Sequence, residues 1–281
     1  MHRFFLDPDL TGGDGPPSRP AGGQAALAGA RGVPSLSPGQ HVALGETDAQ
    51  HVARVLRLRP GDRITLCDGR GFDYEAELAH VGGGQVTARV LSCAPSRGEP
   101  PLHLSLVQGI PKGDKMDLVV QKAVEVGVSR IVPVFTARTV VEWDAAKAQD
   151  RRRRWQRIAY EAAKQSHRGK VPVVAPVTTL ERFLDDYDAG SDWGHLIVPW
   201  EEARDVGLRR VLRALAPGPA TVVIGPEGGL EPAEVALAEA RGGHTVTLGP
   251  RLLRTETAGA VAASIILYEW GDLGGGPPTS P

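Results

Sequence analysis

The chain has 281 residues, of which 32 are Lys or Arg and 33 are Asp or Glu, so its formal net charge is −1 at pH 7. This balance argues against a globally basic nucleic-acid-binding protein, and any RNA or DNA site must be a local patch. The length predicts about two domains with a sizeable core. Cys67 and Cys93 are the two cysteines, and no C-x-x-C pair or His cluster accompanies them. A disulfide scaffold and a structural zinc site are therefore not expected.

Targeting signals are not evident in the sequence. The first ten residues, MHRFFLDPDL, lack the apolar core of a signal peptide. A membrane-spanning helix needs a run of about 18 apolar residues, and the sequence contains none. We therefore expect a soluble, cytoplasmic protein with no membrane or metal partner.

Residues 1–95 have the pattern of a β-rich domain. A short helix is predicted at 51–56, and strands are predicted at 1–6, 62–67, 74–79 and 85–91. Residues 11–39 are dominated by Gly, Pro, Ala and Ser, which predicts a mobile insertion outside the core. Short strands, tight turns and one helix favour a small barrel, and residues 93–101 are interpreted as a linker.

From residue 102 to about residue 270, predicted strands alternate with predicted helices. This alternation indicates a mostly parallel sheet that is covered by helices on both faces. Residues 271–281 are expected to be disordered. Before the last two strand–helix pairs, strands are predicted at 102–108, 130–135, 171–177 and 195–199, and helices at 114–126, 144–167, 179–187 and 203–215.

The last two strand–helix pairs, within residues 221–268, each contain a distinctive loop after the strand. Open α/β sheets bind their ligands at the carboxyl ends of strands. The first loop, GPEGG at 225–229, is neither a Walker phosphate loop nor a G-x-G-x-x-G fingerprint. Its adjacent glycines would let a ligand approach the backbone closely. An ordinary tight turn remains equally open for this loop taken alone.

The second loop, LGPRLLRTET at 248–257, places two arginines, one acid and two hydroxyls in one turn. A purely structural connection rarely needs that chemistry. The alternative is a capping ion pair between Arg254 and Glu256, with Thr255 or Thr257 as the N-cap residue. The helix that follows, 258–267, is apolar nearly all round, which predicts a central core position or a subunit interface.

Basic residues form three further groups at predicted loops and helix ends. Each group alone is typical of a solvated face, but together they favour a surface that binds phosphates. The run at 151–154 is interpreted mainly as a solvated helix face. The three groups are Arg54, Arg57 and Arg59; Lys112 and Lys115; and Lys164, His167, Arg168 and Lys170.

The two loops, GPEGG at 225–229 and LGPRLLRTETA at 248–258, resemble those of the ribosomal RNA small subunit methyltransferase E family of the SPOUT superfamily. The resemblance extends over nearly the whole chain in the same order. Its departures are the insertion at 11–39, the carboxyl-terminal tail and Glu231, where a better N-cap residue is expected. Further matching segments are MHRFF at 1–5, VLR at 55–57, GD at 61–62, DGRG at 68–71, KGDKM at 112–116 and QKAVEVG at 121–127.

The resemblance implies an α/β fold with two domains. A PUA-like, RNA-binding β-barrel would occupy residues 1–95, and a SPOUT-type parallel sheet with a trefoil knot would occupy residues 102–270. It also implies a homodimer, for which the helix at 258–267 would supply the seam. The implied cofactor is S-adenosylmethionine, and the implied reaction is methylation of N3 of one uridine in the 16S ribosomal RNA of the small ribosomal subunit.

The same resemblance assigns residues to roles. Arg254 would stabilise the uridine anion, and Glu256 would accept the N3 proton or orient Arg254. The cofactor would lie against the loops at 198–200, 225–229 and 248–253, with Val198, Pro199, Ile224, Gly225, Glu227, Gly228, Gly229, Leu248, Gly249, Leu253, Thr257 and Ala258 as its binding residues. RNA would be contacted by Arg54, Arg57, Arg59, Lys112, Lys115, Lys164 and Arg168.

Two other functions remain open at this point. One is a relative that methylates another RNA position, such as a ribose 2′-hydroxyl in transfer RNA. The other is a non-catalytic RNA-binding or ribosome assembly factor that retains the fold. A generic nucleotide-binding protein is disfavoured because the sequence has neither a phosphate-loop lysine nor a magnesium-ligand motif.

Overall fold

A computed structural model describes residues 2–6, 36–204 and 206–275 of the chain. These residues divide into two compact units. The first contains the described residues up to Glu99 together with Lys164–Val171, and the second contains Pro100–Ala163 and the described residues from Pro172 onward. The return of Lys164–Val171 to the first unit was not predicted. Residues 11–35 of the predicted insertion and 276–281 of the predicted tail lie outside the described residues, but Leu36 is buried in the core of the first unit, so placing the whole insertion 11–39 outside the core was wrong.

The first unit is built on a five-stranded sheet with the order β1-β3-β4-β5-β2. β1 pairs with β3 in parallel, and the other neighbours are antiparallel. The four predicted strands and the helix are confirmed, whereas the short strand β2 was not predicted. The elements are β1 (His2–Phe5), β2 (His41–Ala43), α1 (Glu46–Gln50), a π-helical turn (His51–Leu56), β3 (Arg63–Cys67), β4 (Phe72–Gly82) and β5 (Gln85–Pro95).

Strict alternation along β4 explains how this sheet buries one face. Phe72, Tyr74, Ala76 and Leu78 are buried, while the residues between them are partly exposed. They share a core cluster with Val52 of the π-helical turn, which is fully buried. Burial of Val52 fixes this turn on the sheet, and it leaves the neighbouring arginines of the turn in solvent.

The second unit contains a sheet with the order β12-β10-β11-β6-β7-β8, and β9 also pairs with β7. All of these pairs are parallel, which confirms the predicted parallel sheet. The elements are β6 (Leu104–Gly109), α2 (Lys115–Val126), β7 (Arg130–Phe135), α3 (Ala145–Gln165), β8 (Val173–Val174), β9 (Thr178–Thr179), α4 (Leu180–Asp185), β10 (His195–Pro199), α5 (Leu208–Ala214), β11 (Ala220–Ile224), α6 (Pro232–Ala240), β12 (His244–Val246) and α7 (Thr255–Trp270).

Two predicted elements are shorter than expected. Of the strand predicted at 171–177, only Val173–Val174 forms β8, and Pro176 beyond it has no N–H for a ladder hydrogen bond; β9 begins after the predicted range. The helix predicted at 203–215 begins only at Leu208. Its expected first turn instead pairs with Thr247, whose N–H donates to Val206 O at 2.9 Å and whose carbonyl accepts from Leu208 N at 3.1 Å.

Helix starts in this unit differ from the sequence expectation. Glu231 is the N-cap of α6 and forms a capping box with Glu234, so the expectation of a better N-cap residue there was wrong. The N-cap of α7 is Arg254. The alternative in which Thr255 or Thr257 caps that helix is therefore also wrong, and Thr255 is the first helical residue.

Helix α7 occupies a central position in the second unit. It packs on α2, α5 and the strands β6 and β11. Its buried positions, among them Gly259, Ala262, Ala263 and Ile266, follow the helical period. Of the two positions predicted for the apolar helix, a core position or a subunit interface, the core position is confirmed within one chain. It also brings the loop before α7 to the end of the central strands.

Within the described residues, no helix is long and apolar enough to cross a membrane. The same residues contain no group of three or more His, Cys, Asp or Glu side chains that could hold a metal ion.

Candidate active site

A cavity of about 600 Å³ lies where β10, β11 and β12 end and α7 begins. Its volume falls within the usual range of small-molecule sites. The walls come from three loops at the carboxyl ends of these parallel strands, as the sequence predicted. Ten of the twelve predicted cofactor residues line it, namely Pro199, Ile224, Gly225, Glu227, Gly228, Gly229, Leu248, Gly249, Leu253 and Ala258.

The two remaining residues of that set do not line the cavity. Val198 lies on β10 with its side chain fully buried in the core. Thr257 is exposed on the first turn of α7. Their neighbours Pro199 and Ala258, which were also predicted, do line the cavity.

The first loop folds back on itself, which explains two of its glycines. A Cβ on Gly225 would lie 2.7 Å from the carbonyl carbon of Gly229. Gly229 has a φ of +72°, and a Cβ there would overlap the Glu201 carboxylate. Only glycine fits such a backbone. The loop therefore presents bare backbone to the cavity.

The side chain of Glu227 anchors this loop to the beginning of α2. It accepts a hydrogen bond from Lys115 Nζ at 2.7 Å and from the backbone N–H of Lys112 at 3.2 Å. Burial alone would raise the pKa of Glu227, but these hydrogen bonds and the Lys115 charge outweigh burial, and the pKa is lowered. In this geometry the Glu227 side chain holds the loop in place.

Sequence reasoning missed a buried network beneath both loops. Gln108, at the end of β6, has no exposed surface. Its Nε2 donates to Thr255 Oγ1 at 2.9 Å, and Thr255 Oγ1 donates to Gly225 O at 2.6 Å. No local pattern could have identified Gln108, because its partner lies 147 residues away in the chain.

Arg254 and Glu256 lie together at the beginning of α7. Arg254 Nη1 is 3.9 Å from Glu256 Oε1, and the Arg254 side chain is 82% exposed. Glu256 is only 14% exposed, and its Oε2 has no hydrogen-bond partner among the described residues. A carboxylate is stabilised in the first turn by the helix macrodipole. The pair therefore offers the cavity a largely solvated cation and a mostly buried acceptor.

Further residues that line the cavity were not assigned individually as cofactor-binding, although Trp200 lies in the predicted loop at 198–200. Glu201, Thr247 and Thr255 line the wall. Trp200, at the end of the 198–200 loop, also lines it, and its buried Nε1 has no partner among the described residues. Trp200 belongs to the predicted cofactor loop at 198–200 and Thr255 to the second loop at 248–257, so their positions in these loops were their sequence signal.

The predicted RNA-binding residues differ in how free their charges are. Arg54, Arg57 and Arg59 are exposed and have no ion-pair partner among the described residues.

Other predicted RNA-binding residues are already paired. Lys164 Nζ contacts Asp48 at 2.8 Å. Arg168 is 3% exposed and donates to both Glu99 oxygens, at 2.9 and 3.0 Å. In the second unit Lys112 is exposed, whereas Lys115 contacts Glu227.

Burial and pairing give Arg168 a structural role in this conformation. Gly169 N and Lys170 N donate to the same Glu99 carboxylate at 2.8 and 2.9 Å. A phosphate could contact the guanidinium only after this pair opened, which would leave a mostly buried carboxylate unpaired. Arg168 therefore has no free surface for RNA as the sequence prediction required.

The parallel sheet with a cavity at its strand ends is the fold of an RNA methyltransferase domain, as comparison with known families shows. A family model described as RNA methyltransferase domain matches residues 98–267, and another described as RNA methyltransferase PUA domain matches residues 44–91. The chain belongs to the ribosomal RNA small subunit methyltransferase E family. This confirms the membership that the loop motifs predicted.

Relatives support this assignment across both units. The chain is 36% identical to ribosomal RNA small subunit methyltransferase E of Bacillus subtilis over 227 residues, which is 79% of this chain and 88% of the relative. The corresponding protein of Mycobacterium bovis is 36% identical over 223 residues, 77% of this chain and 82% of the relative.

Solved structures agree with the sequence relatives. A crystal structure of ribosomal RNA small subunit methyltransferase E from Neisseria gonorrhoeae, bound to S-adenosyl methionine, matches with a TM-score of 0.76 and 34% identity, over 97% of this chain and 99% of that one. A methyltransferase from Legionella pneumophila in complex with the same cofactor matches with a TM-score of 0.71 and 33% identity, over 85% and 96% of the two chains.

Proposed function

We propose that this chain transfers a methyl group from S-adenosylmethionine to N3 of one uridine in the 16S ribosomal RNA of the small ribosomal subunit. The observation that carries this proposal is the cavity at the strand ends, which joins bare loop backbone to the Arg254–Glu256 pair. The names of the relatives support the substrate. The cofactor bound to the Neisseria and Legionella proteins supports the donor.

The residues of the cavity fit this cofactor. Its volume of about 600 Å³ suits a nucleoside with an amino-acid tail. The bare backbone at 225–229 offers N–H and C=O groups to an adenine, and Leu248 and Leu253 supply apolar walls. The unpartnered Nε1 of Trp200 is a further hydrogen-bond donor at the wall. These residues would hold and orient the cofactor.

The bound cofactor supplies an electrophilic methyl group, whose bond to sulfur breaks with its electron pair passing to sulfur. Uridine N3 carries a proton at neutral pH, so a base must remove it before or during attack. Glu256 Oε2, mostly buried and without a partner, accepts this proton in our proposal. Arg254 stabilises the negative charge that develops on the uracil oxygens. Holding N3 in line with the methyl carbon lowers the activation barrier further.

In this proposal the first unit holds the flanking RNA. Arg54 lies on the π-helical turn, and Arg57 ends the turn with a left-handed φ of 53°. π-Helical turns and strained backbone are both concentrated at functional sites. Arg59 continues the same exposed group, and Lys112 adds an exposed cation on the second unit. The target base must leave its stack at a cost of a few kcal/mol, and these contacts offset that cost.

We extend the proposal to the finer features of the family. The five-stranded sheet of the first unit closes as a PUA-like barrel, and the second unit contains the trefoil knot. Two copies form a homodimer through α7, and the protein acts in the cytoplasm without a metal. Sedimentation of the purified chain tests its oligomeric state. A crystal structure with the cofactor tests the knot and the closure of the barrel.

A methyl-transfer assay with purified small subunits and naked 16S RNA tests the function. We expect transfer of one methyl group and its recovery as N3-methyluridine by nucleoside mass spectrometry. Arg254→Ala should lower kcat by at least about 100-fold, the loss typical for removal of one charge-stabilising group, with little change in cofactor affinity. The matched control Arg210→Ala, an exposed arginine on α5, should keep full activity.

The other candidate functions give different results in the same assay. Recovery of a 2′-O-methylated nucleoside would assign the chain to ribose methylation. Cofactor binding without transfer to either RNA would indicate a non-catalytic factor. Full activity of Arg254→Ala would overturn the assigned role of that residue.

A further inference from the structure

A second basic surface lies on the first unit, at a seam where three stretches of chain meet. They are the turn at 68–71, the segment at 95–99 and the segment at 167–170, which lies within Lys164–Val171, a stretch of this unit whose flanking residues belong to the second unit. Gly71 N donates to Gly169 O at 3.0 Å, and Ser96 N donates to Gly71 O at 2.8 Å. Arg70 and Lys170 also form an antiparallel bridge.

The backbone of the three stretches is closely packed, and this packing fixes the positions from which the side chains extend. A Cβ on Gly98 would overlap the carbonyl oxygen of His167, and a Cβ on Gly169 would overlap the side chain of Ser96. The side chain of Lys170 runs over Gly71, where a Cβ would lie 3.0 Å from Lys170 Cε. The surface is therefore held by backbone contacts and does not depend on a mobile loop.

The carboxylates of the seam are all engaged with internal donors. Asp73 contacts Arg3 Nη2 at 2.7 Å, and Glu99 contacts Arg168 at 2.9 Å, with both guanidinium side chains under 10% exposed. Asp68 accepts hydrogen bonds from Arg70 N at 2.8 Å and from the Tyr74 hydroxyl at 2.9 Å. These acids compensate buried groups.

The cations at the surface of the seam have no such compensation. Arg70, Arg97 and Lys170 are exposed, and none of them has an ion-pair partner among the described residues. Exposed His167 belongs to the same segment and has a left-handed φ of 58°. The carboxylates of the seam are thus paired with internal donors, whereas the cations at its surface are unpaired.

We propose that Arg70, Arg97 and Lys170 form a second surface of the first unit that binds the phosphodiester backbone of RNA. The proposal rests on the proposed function, which supplies an RNA substrate, and adds a site to it. Unpaired cations on a rigid backbone bind phosphates without first breaking an ion pair. Arg97 and Lys170 both lie outside residues 44–91, the part that matches the PUA model.

A charge-matched pair of variants tests the surface. The first combines Arg70→Gln, Arg97→Gln and Lys170→Gln, and the control combines Arg182→Gln, Arg209→Gln and Arg210→Gln, three exposed arginines on α4 and α5. Affinity for a fragment of 16S RNA is measured over a series of salt concentrations. The logarithm of the RNA association constant falls linearly with the logarithm of the salt concentration, by about 0.7 per phosphate contact for single strands. Loss of three contacts should therefore make this slope less steep by about 2, whereas the control should keep the wild-type slope.

Further readouts separate the surface from the fold and from the active site. Both triple variants should bind S-adenosylmethionine with wild-type affinity, and only the first should need a higher RNA concentration for half-maximal rate, with kcat retained at saturation. A variant that combines Arg70→Lys and Arg97→Lys should keep the wild-type slope. If the triple variant fails to fold, the single variant Arg97→Gln should lower the slope by about 0.7.

Three results would overturn the proposal. They are equal slopes for both triple variants, an unchanged slope in the first, and a preference of the surface for an acidic peptide over RNA in a competition experiment. A wild-type chain that methylates no RNA would instead contradict the proposed function, whatever the slopes.

Discussion

The Nε2 group of Gln108 donates a hydrogen bond to the hydroxyl of Thr255 at 2.9 Å. That hydroxyl donates in turn to the carbonyl of Gly225 at 2.6 Å. One buried chain of hydrogen bonds thus joins the central strand β6, the first loop of the cavity and the beginning of α7. Because Arg254 and Glu256 flank Thr255, the same chain sets their position relative to the loop.

A double-mutant cycle on Gln108 and Thr255 tests this coupling. Gln108→Leu and Thr255→Val should each lower the free energy of unfolding by about 1–3 kcal/mol, because each breaks the buried hydrogen bond between the two side chains. The double variant should lose less than the sum of the two, since each single variant already breaks the hydrogen bond that Gln108 and Thr255 share. Chemical denaturation measures the stabilities, and cofactor titration should show weaker binding in both single variants.

The conservative substitution Thr255→Ser is the control for this cycle. It keeps the hydroxyl and should retain cofactor affinity near that of the wild type. Strict additivity of Gln108→Leu and Thr255→Val would contradict a shared network.

Glu256→Gln tests the proposed base. The amide keeps the shape of the side chain but cannot take the N3 proton, so kcat near neutral pH should fall by about 100-fold or more. Alkaline solution removes the proton from uridine N3 without help, so the loss should shrink as the pH rises. The pH–rate profile of the variant measures this, with Arg254→Ala as the comparison that should stay impaired throughout. A loss independent of pH would assign Glu256 to orientation of Arg254 alone.

Arg57→Gly separates the RNA role of Arg57 from its backbone. The residue has a left-handed φ of 53°, which glycine adopts without the strain of about 1 kcal/mol that a side chain brings. We expect a thermal stability equal to or slightly above that of the wild type, together with weaker RNA binding. Arg57→Lys, with its charge retained, is the matched control for binding. Unchanged RNA affinity in Arg57→Gly would remove Arg57 from the RNA-contacting set.

The lowered pKa of Glu227 predicts a dependence of stability on pH. Because the folded pKa lies below its usual value of 4.5, the carboxylate contributes stability above that pH and loses it as the pH falls through the folded pKa. Glu227→Gln should therefore be less stable than the wild type at neutral pH and approach it in acid. Lys115→Gln removes the main favourable partner of Glu227. Its free energy of unfolding, measured by denaturation, should therefore fall less than that of the wild type as the pH is lowered. The same dependence of stability on pH in the wild type and in both variants would contradict this prediction.

Much of the fold could be predicted because it depends on local patterns. Buried apolar runs identified the strands at 130–135 and 195–199 with their observed bounds. Glycine loops after strands marked the cavity, because a parallel sheet brings the carboxyl ends of its strands to one edge. Arg254 and Glu256 are neighbours in sequence, so their proximity in space needed no tertiary information.

Only the tertiary structure decided which charged and polar groups are free. Arg168 and Lys164 looked like RNA contacts in the sequence, yet their partners Glu99 and Asp48 lie 69 and 116 residues away. Gln108 carried no signal, since its role exists only once β6 and α7 are packed together. Composition and periodicity report what each segment prefers, whereas ion pairing and burial depend on contacts between distant segments that form on folding. The sequence by itself thus determined the family and the loops of the cavity, and folding determined which cations remain free to bind RNA.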